Sequence, residues 1–134
     1  MKINIFNLAF SLLVATLLSG CNLEETNPIE TKTKIGIMLS DVGLGDQSFS
    51  DAAFHGLVRA RDELGIIFDY RELQDTKTYE HGLIELVEAD HDLIVGLGFM
   101  VQDELEKVAG QYPDQLFLLV DAVSEVENII STYF

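Results

Sequence analysis

The chain has no tryptophan, two prolines, one cysteine, and eight Lys and Arg against 23 Asp and Glu. A single cysteine, Cys21, excludes an intrachain disulfide. The formal charge of −15 repels a nucleic-acid backbone, and no basic run is present to neutralise phosphate, so nucleic acid is not an expected partner. The same charge repels an anionic lipid surface, so attachment to a membrane needs a device other than the folded surface.

Several motifs of catalysis are missing. Gly43-x-Gly45 starts like a dinucleotide-binding loop, but the third glycine fails, because Ser48 stands there. There is no Gly-Lys-Ser/Thr phosphate loop and no Gly-x-Ser-x-Gly elbow. His55, His81 and His91 have no metal-ligand spacing with one another or with Cys21. His55 falls within a helical stretch and His91 in a turn, so both are expected at the surface. No catalytic residue, cofactor or resident metal is expected. The enzymatic alternative is a Mg²⁺ site built on Asp41, Asp46 and Asp121.

The chain opens with Met1-Lys2 and then an apolar run from Ile3 to Leu18, ending in small residues before Cys21. About 16 apolar residues fall short of the roughly 20 that span a bilayer, and the layout is that of a secretory signal over residues 1–20. Leu18-Ser19-Gly20-Cys21 resembles the bacterial lipobox, in which the cysteine accepts acyl chains and becomes the mature N-terminus. Two or more chains, at about 0.8 kcal/mol per buried methylene, give stable anchoring. Residues 21–33 carry this cysteine and then a polar stretch with no apolar period, which predicts a tether.

From residue 34 apolar runs alternate with helical stripes. Lys34–Ser40, Ile66–Tyr70, Asp92–Gly96, Gln115–Val120 and Asn128–Phe134 read as strands. Ser48–Leu64, Thr78–Val87 and Val101–Gln111 read as helices, with Ser48 and Asp51 forming a capping-box-like start to the first. Gly65 marks its stop, and Tyr112-Pro113 closes the third. The order predicts one α/β domain over 34–134: a parallel sheet with helices on both faces, a three-layer sandwich.

In such sheets ligands bind beyond the carboxyl ends of the strands. Those positions hold Ser40 to Ser50 after the first strand, Gly96 to Met100 after the third, and Asp121-Ala122 after the fourth. Asp41, Asp121, Phe49 and Phe99 therefore converge on one edge. Acceptors beside a ring suit a neutral, flat ligand rich in hydrogen-bond donors, whereas phosphate needs donors and positive charge. Each residue also has a plainer role open to it: glycines in tight turns, Asp41 and Asp121 as loop or cap residues, Phe49 as a hydrophobic staple.

Lys34-Ile-Gly-Ile, Asp41-Val-Gly, Asp46-Gln-Ser-Phe49, Asp92-Leu-Ile-Val-Gly-Leu-Gly-Phe99, Tyr112-Pro-Asp-Gln-Leu-Phe and Val120-Asp-Ala122 occur in that order. Together they closely resemble the basic membrane protein family of lipoproteins, which resemble purine-nucleoside receptors of ABC transporters. The resemblance implies the first lobe of a type I periplasmic-binding-protein fold, a nucleoside ligand, an ABC permease as partner, and lipid anchoring at Cys21 on the extracytoplasmic face of the cell membrane. It implies Asp41, Phe49, Ser50, Gly98, Phe99 and Asp121 near the ligand, with Phe49 stacking on the base and the two aspartates accepting from base or sugar. Position 50 departs from the family pattern, where Asn follows Ser-Phe. The family continues through a second lobe, so residues 34–134 are read as the first lobe alone. The fifth strand is then expected to expose apolar surface, and this lobe alone is expected to bind weakly or not at all. The alternative is a surface lipoprotein with a sensor or regulatory role and no part in transport.

Overall fold

A computed structural model describes residues 31–134. The signal segment, Cys21 and most of the tether lie outside the described residues. Five strands form one parallel sheet: β1 (Lys34–Met38), β2 (Ile67–Arg71), β3 (Leu93–Leu97), β4 (Phe117–Val120) and β5 (Ile129–Thr132), in the order β2-β1-β3-β4-β5. Four helices connect them: α1 (Phe49–Leu64), α2 (Leu73–Thr76), α3 (Tyr79–Glu88) and α4 (Gln102–Gln111), the last preceded by a 3₁₀ turn at Phe99–Val101.

Strand alternation splits the core into two. Met38, Ile94, Phe117 and Leu119 point to one face and are sealed by Leu83 and Leu86 of α3 and by Leu105 and Val108 of α4, all fully buried. Ile37, Leu39, Val95 and Leu97 point to the other face, where Ala53 and Leu57 of α1 pack. Phe54 of α1 meets Phe68 and Tyr70 of β2 edge-on, with ring centroids 5.6 Å apart in both pairs. The sandwich is thus two helices, a sheet and one helix. Helix α4 lies so close to β3 that a side chain at Gly96 would collide with Leu105.

Chain reversals show which predicted signals act. Thr78 caps α3 by accepting from the His81 N–H at 3.1 Å. Gly65 ends α1 in the left-handed conformation. The Asn128 amide donates to the carbonyls of Ala109, Tyr112 and Gln115, at 3.1, 3.1 and 2.9 Å, and so ties the end of α4 to the start of β5. Three expectations are corrected. Ser48 makes no side-chain cap to α1, because the Asp46 carboxylate reaches the first-turn amides instead. His91 is buried, with Nδ1 2.7 Å from the Leu86 carbonyl, because the turn at Asp90 folds its ring under the sheet. Leu64, at the end of the predicted apolar stripe, is exposed. The apolar surface expected on the last strand is present: Ile130 of β5 and Leu116 before β4 remain about half exposed on the face that α1 leaves open.

Candidate functional site

The carboxyl ends of β1, β3 and β4 open into a cavity of about 440 Å³, within the range of small-molecule sites. Asp41, Phe49, Gly98, Phe99 and Asp121, reached from three strand ends, all line it. Ser50 does not. It is fully buried in the first turn of α1, its hydroxyl 2.6 Å from that of Ser40. Ser40, Val42, Asp46, Ser48, Leu97 and Met100 complete the lining. Of these, Ser40, Val42, Asp46 and Ser48 stand inside the segment singled out after the first strand, and Leu97 and Met100 inside the one after the third, but none was named there as a ligand contact.

The loop from Ser40 to Phe49 is held by its own carboxylates. Asp46 accepts from the backbone N–H groups of Ser48, Ser50 and Asp51, at 2.8, 2.8 and 3.2 Å. Asp51 accepts in turn from Gly45 and Gln47, at 2.8 and 2.9 Å. Glu72, just past β2, accepts from Leu44 at 2.7 Å and anchors the tip. The amides that could cradle a phosphate are therefore already committed to carboxylates, which argues against phosphate recognition by this loop. The same bonds explain the charge state of Asp46. Partial burial opposes ionisation, but the amides of Ser50, Ser48 and Asp51 and the Ser50 hydroxyl outweigh it and hold the carboxyl below its usual value. A carboxylate consumed in this way is a poor ligand for Mg²⁺, so the three-aspartate alternative loses a member. Among the described residues no group of three His, Cys, Asp or Glu is placed to hold a metal ion.

Asp41 and Asp121 make no side-chain hydrogen bond to the described residues, and both face the cavity. Asp121 sits at φ 60°, and its N–H donates to the Thr132 carbonyl at 2.7 Å. A left-handed aspartate at a strand end is a conformation that the surrounding bonds must hold in place. Gly98 is more extreme, at φ 87° and ψ 167°, a region open essentially to glycine alone. This backbone turns Phe99 outward beside Phe49. Phe99 is 70% and Phe49 37% exposed, so two rings flank an acceptor-lined opening. On the opposite side of the sheet edge, the hydroxyl of Tyr79 is buried without a partner among the described residues. Burial first, and then the negative charges of Asp41 and Glu104, push its ionisation upward.

A cavity at the carboxyl edge of a parallel sheet, walled by rings and by acceptors without a hydrogen bond to the described residues, is the place where open α/β sheets hold ligands. The comparisons give the family. Residues 32–134 match the family model described as ABC transporter substrate-binding protein PnrA-like, and the chain belongs to this Bmp family. It is 34% identical over 116 residues to an uncharacterized lipoprotein of Pyrococcus abyssi, covering 84% of this chain and 29% of the relative. It is 25% identical over 135 residues to the ABC transporter nucleoside-binding protein BmpA of Lactococcus lactis subsp. cremoris, covering 94% of this chain and 38% of that one. The crystal structure of an ABC transporter system solute-binding protein from Aeropyrum pernix K1 superposes with a TM-score of 0.68 at 35% identity, over 75% of this chain and 28% of that one. The fold is therefore that of periplasmic-type solute-binding proteins, and the chain spans well under half the length of these relatives.

Proposed function

We propose that this chain belongs to a lipid-anchored extracytoplasmic receptor that captures a nucleoside and hands it to an ABC permease. The observation that carries the reading is the convergence of Asp41, Asp121, Phe49 and Phe99 around one cavity. Two carboxylates without a hydrogen bond to the described residues accept from hydroxyl or amino donors, and two flanking rings offer faces for a flat heterocycle. The committed loop amides disfavour a phosphorylated ligand, so the reading is a nucleoside rather than a nucleotide. In this reading Cys21 carries the acyl chains, the acidic lobe stays clear of the anionic bilayer, and residues 22–33 act as its tether.

Calorimetric titration of the full-length protein with adenosine, guanosine, inosine, uridine and adenosine 5′-monophosphate tests it. The expected result is saturable binding of at least one nucleoside, weakened tenfold or more by Phe49→Ala and by Asp121→Asn, with the monophosphate bound much more weakly. Tighter binding of the monophosphate, or nucleoside affinity indifferent to both substitutions, counts against the reading.

A further inference from the structure

The chain turns tightly after β1. The Gly43 N–H donates to the Ser40 carbonyl at 3.1 Å, so Asp41 and Val42 are the central residues of the turn, and both line the cavity. Glu72 does not line it, but its carboxylate closes on the back of this turn. One oxygen accepts from the Leu44 N–H at 2.7 Å. The same oxygen fills the space that a side chain at Gly43 would need, and Gly43 is buried at φ 74°. Position 43 therefore takes glycine for two reasons: its backbone conformation and the room that Glu72 requires.

Glu72 is itself on a rigid mount. Before it, the Leu39 N–H donates to the Arg71 carbonyl at 3.0 Å and carries the β1–β2 ladder one step further. The Arg71 guanidinium is held by Asp69 and Glu85, at 3.0 and 2.8 Å. After it, the Glu72 carbonyl accepts from the N–H groups of Asp75 and Thr76, at 3.1 and 3.2 Å, and from the Thr76 hydroxyl at 3.2 Å. The short helix α2 is thus a bracket that fixes Glu72 from behind. Asp46 and Asp51 bind amides of their own loop and of the first turn of α1. Glu72 instead ties the loop to a strand end 28 residues away.

We propose that Glu72 is a positioning residue for ligand binding: mounted on α2, it clamps the Ser40–Gly43 turn and so sets where Asp41 stands in the cavity. A binding group has to be held within about 0.5 Å of its productive place by the residues behind it. The proposal rests on the nucleoside reading for the ligand, whereas the clamp on the turn is independent of it.

Glu72→Ala, Glu72→Asp and Glu72→Gln test this in the full-length protein, each checked for an unchanged fold by amide chemical shifts. Alanine removes the acceptor, aspartate keeps the charge but shortens the reach by a methylene, and glutamine keeps an oxygen at the same reach. The first readout is hydrogen exchange of the Leu44 amide without ligand. It is expected to quicken roughly tenfold or more in Glu72→Ala and Glu72→Asp, the worth of one bond to a charged group, and to stay within about threefold of the wild type in Glu72→Gln. Leu44 exchange unchanged in both Glu72→Ala and Glu72→Asp overturns the clamp, whatever the protein binds. The second readout is calorimetric affinity for adenosine and guanosine. Glu72→Ala and Glu72→Asp weaken it by roughly fivefold or more, Glu72→Gln restores it, and in an Asp41→Asn background the same substitutions cost less than about twofold. Equal costs in the two backgrounds overturn the action through Asp41 and leave Glu72 a merely structural role. Binding of neither nucleoside by the wild type overturns the nucleoside reading and the positioning role in it, while the exchange rates still decide the clamp.

Discussion

Gly98→Ala tests whether the site rests on a strained backbone. At φ 87° and ψ 167° an L-residue is outside its allowed regions. Space is not the obstacle: a Cβ there meets only the Phe49 ring, at 3.8 Å, an ordinary contact. The cost is therefore conformational, about 1–3 kcal/mol. It has no cheap escape. The Gly98 N–H donates to the Val120 carbonyl at 2.9 Å and the Gly98 carbonyl accepts from Val101 at 3.4 Å, so rotating the residue breaks a bond to β4 or the start of the 3₁₀ turn. For a domain of this size about 1 kcal/mol corresponds to roughly 4–8 °C, so the melting temperature falls by about 5–20 °C. Gly56→Ala is the control. Gly56 lies inside α1, exposed, with nothing within 4 Å of an added Cβ. The same methyl there favours the helix by about 0.5–1 kcal/mol. Differential scanning calorimetry of the two variants gives shifts of opposite sign. A Gly98→Ala protein melting within 2 °C of the wild type refutes the strain.

Further outcomes follow from the same geometry. Asn128→Ala removes the side-chain donor from three carbonyls near the end of α4, leaving that of Gln115 without its partner while Ala109 and Tyr112 keep backbone donors, and lowers stability by about 1–3 kcal/mol, read by urea unfolding. Tyr79→Phe removes a buried hydroxyl that has no partner among the described residues and raises stability by about 1 kcal/mol; in the wild type, absorbance at 295 nm shows one tyrosine ionising later than a free phenol. Because the carboxyl of Asp46 ionises below its usual value in the fold, its contribution is complete above the unfolded value of about 3.9 and is lost as the pH falls through the folded one. Unfolding midpoints compared between pH 6 and pH 3 therefore drop more steeply in the wild type than in Asp46→Asn. The proposed anchoring, which rests on the sequence around Cys21 rather than on this geometry, is tested by Cys21→Ser: it is expected to release the protein from the membrane fraction into the culture medium or periplasm, seen by fractionation and immunoblotting.

The sheet and its three main helices were legible because their apolar periods are clean: Ile35 to Met38, Ile94 to Leu97 and Phe117 to Val120 are strand cores with helical stripes between. Helix α2 was not, since four residues carry no period. Cap chemistry was legible at Thr78, whose hydroxyl accepts from the His81 N–H. It failed at Ser48, where the Asp46 carboxylate takes the amides of Ser50 and Asp51 that a cap would serve and wins by charge. His91 misled because its ring packs beside Gly36 of β1, far off in sequence, and bonds the Leu86 carbonyl five residues back, which no apolar period announces. At the site, the rule that parallel sheets bind at their carboxyl edge was enough to bring Asp41, Phe49, Gly98, Phe99 and Asp121 to one cavity. It was not enough for Ser50. That residue is in the first turn of α1, and only the three-dimensional packing shows its hydroxyl buried against that of Ser40, away from the cavity. Ser40, unremarkable in sequence, takes the place on the wall.

The central claim is that the cavity at the carboxyl edge recognises a nucleoside through acceptors and ring faces. Saturation-transfer difference NMR of the full-length protein with adenosine tests it most directly. The account predicts transfer strongest to the base protons, sandwiched by Phe49 and Phe99, and abolished by Phe49→Ala. Uniform weak transfer that survives Phe49→Ala would contradict it.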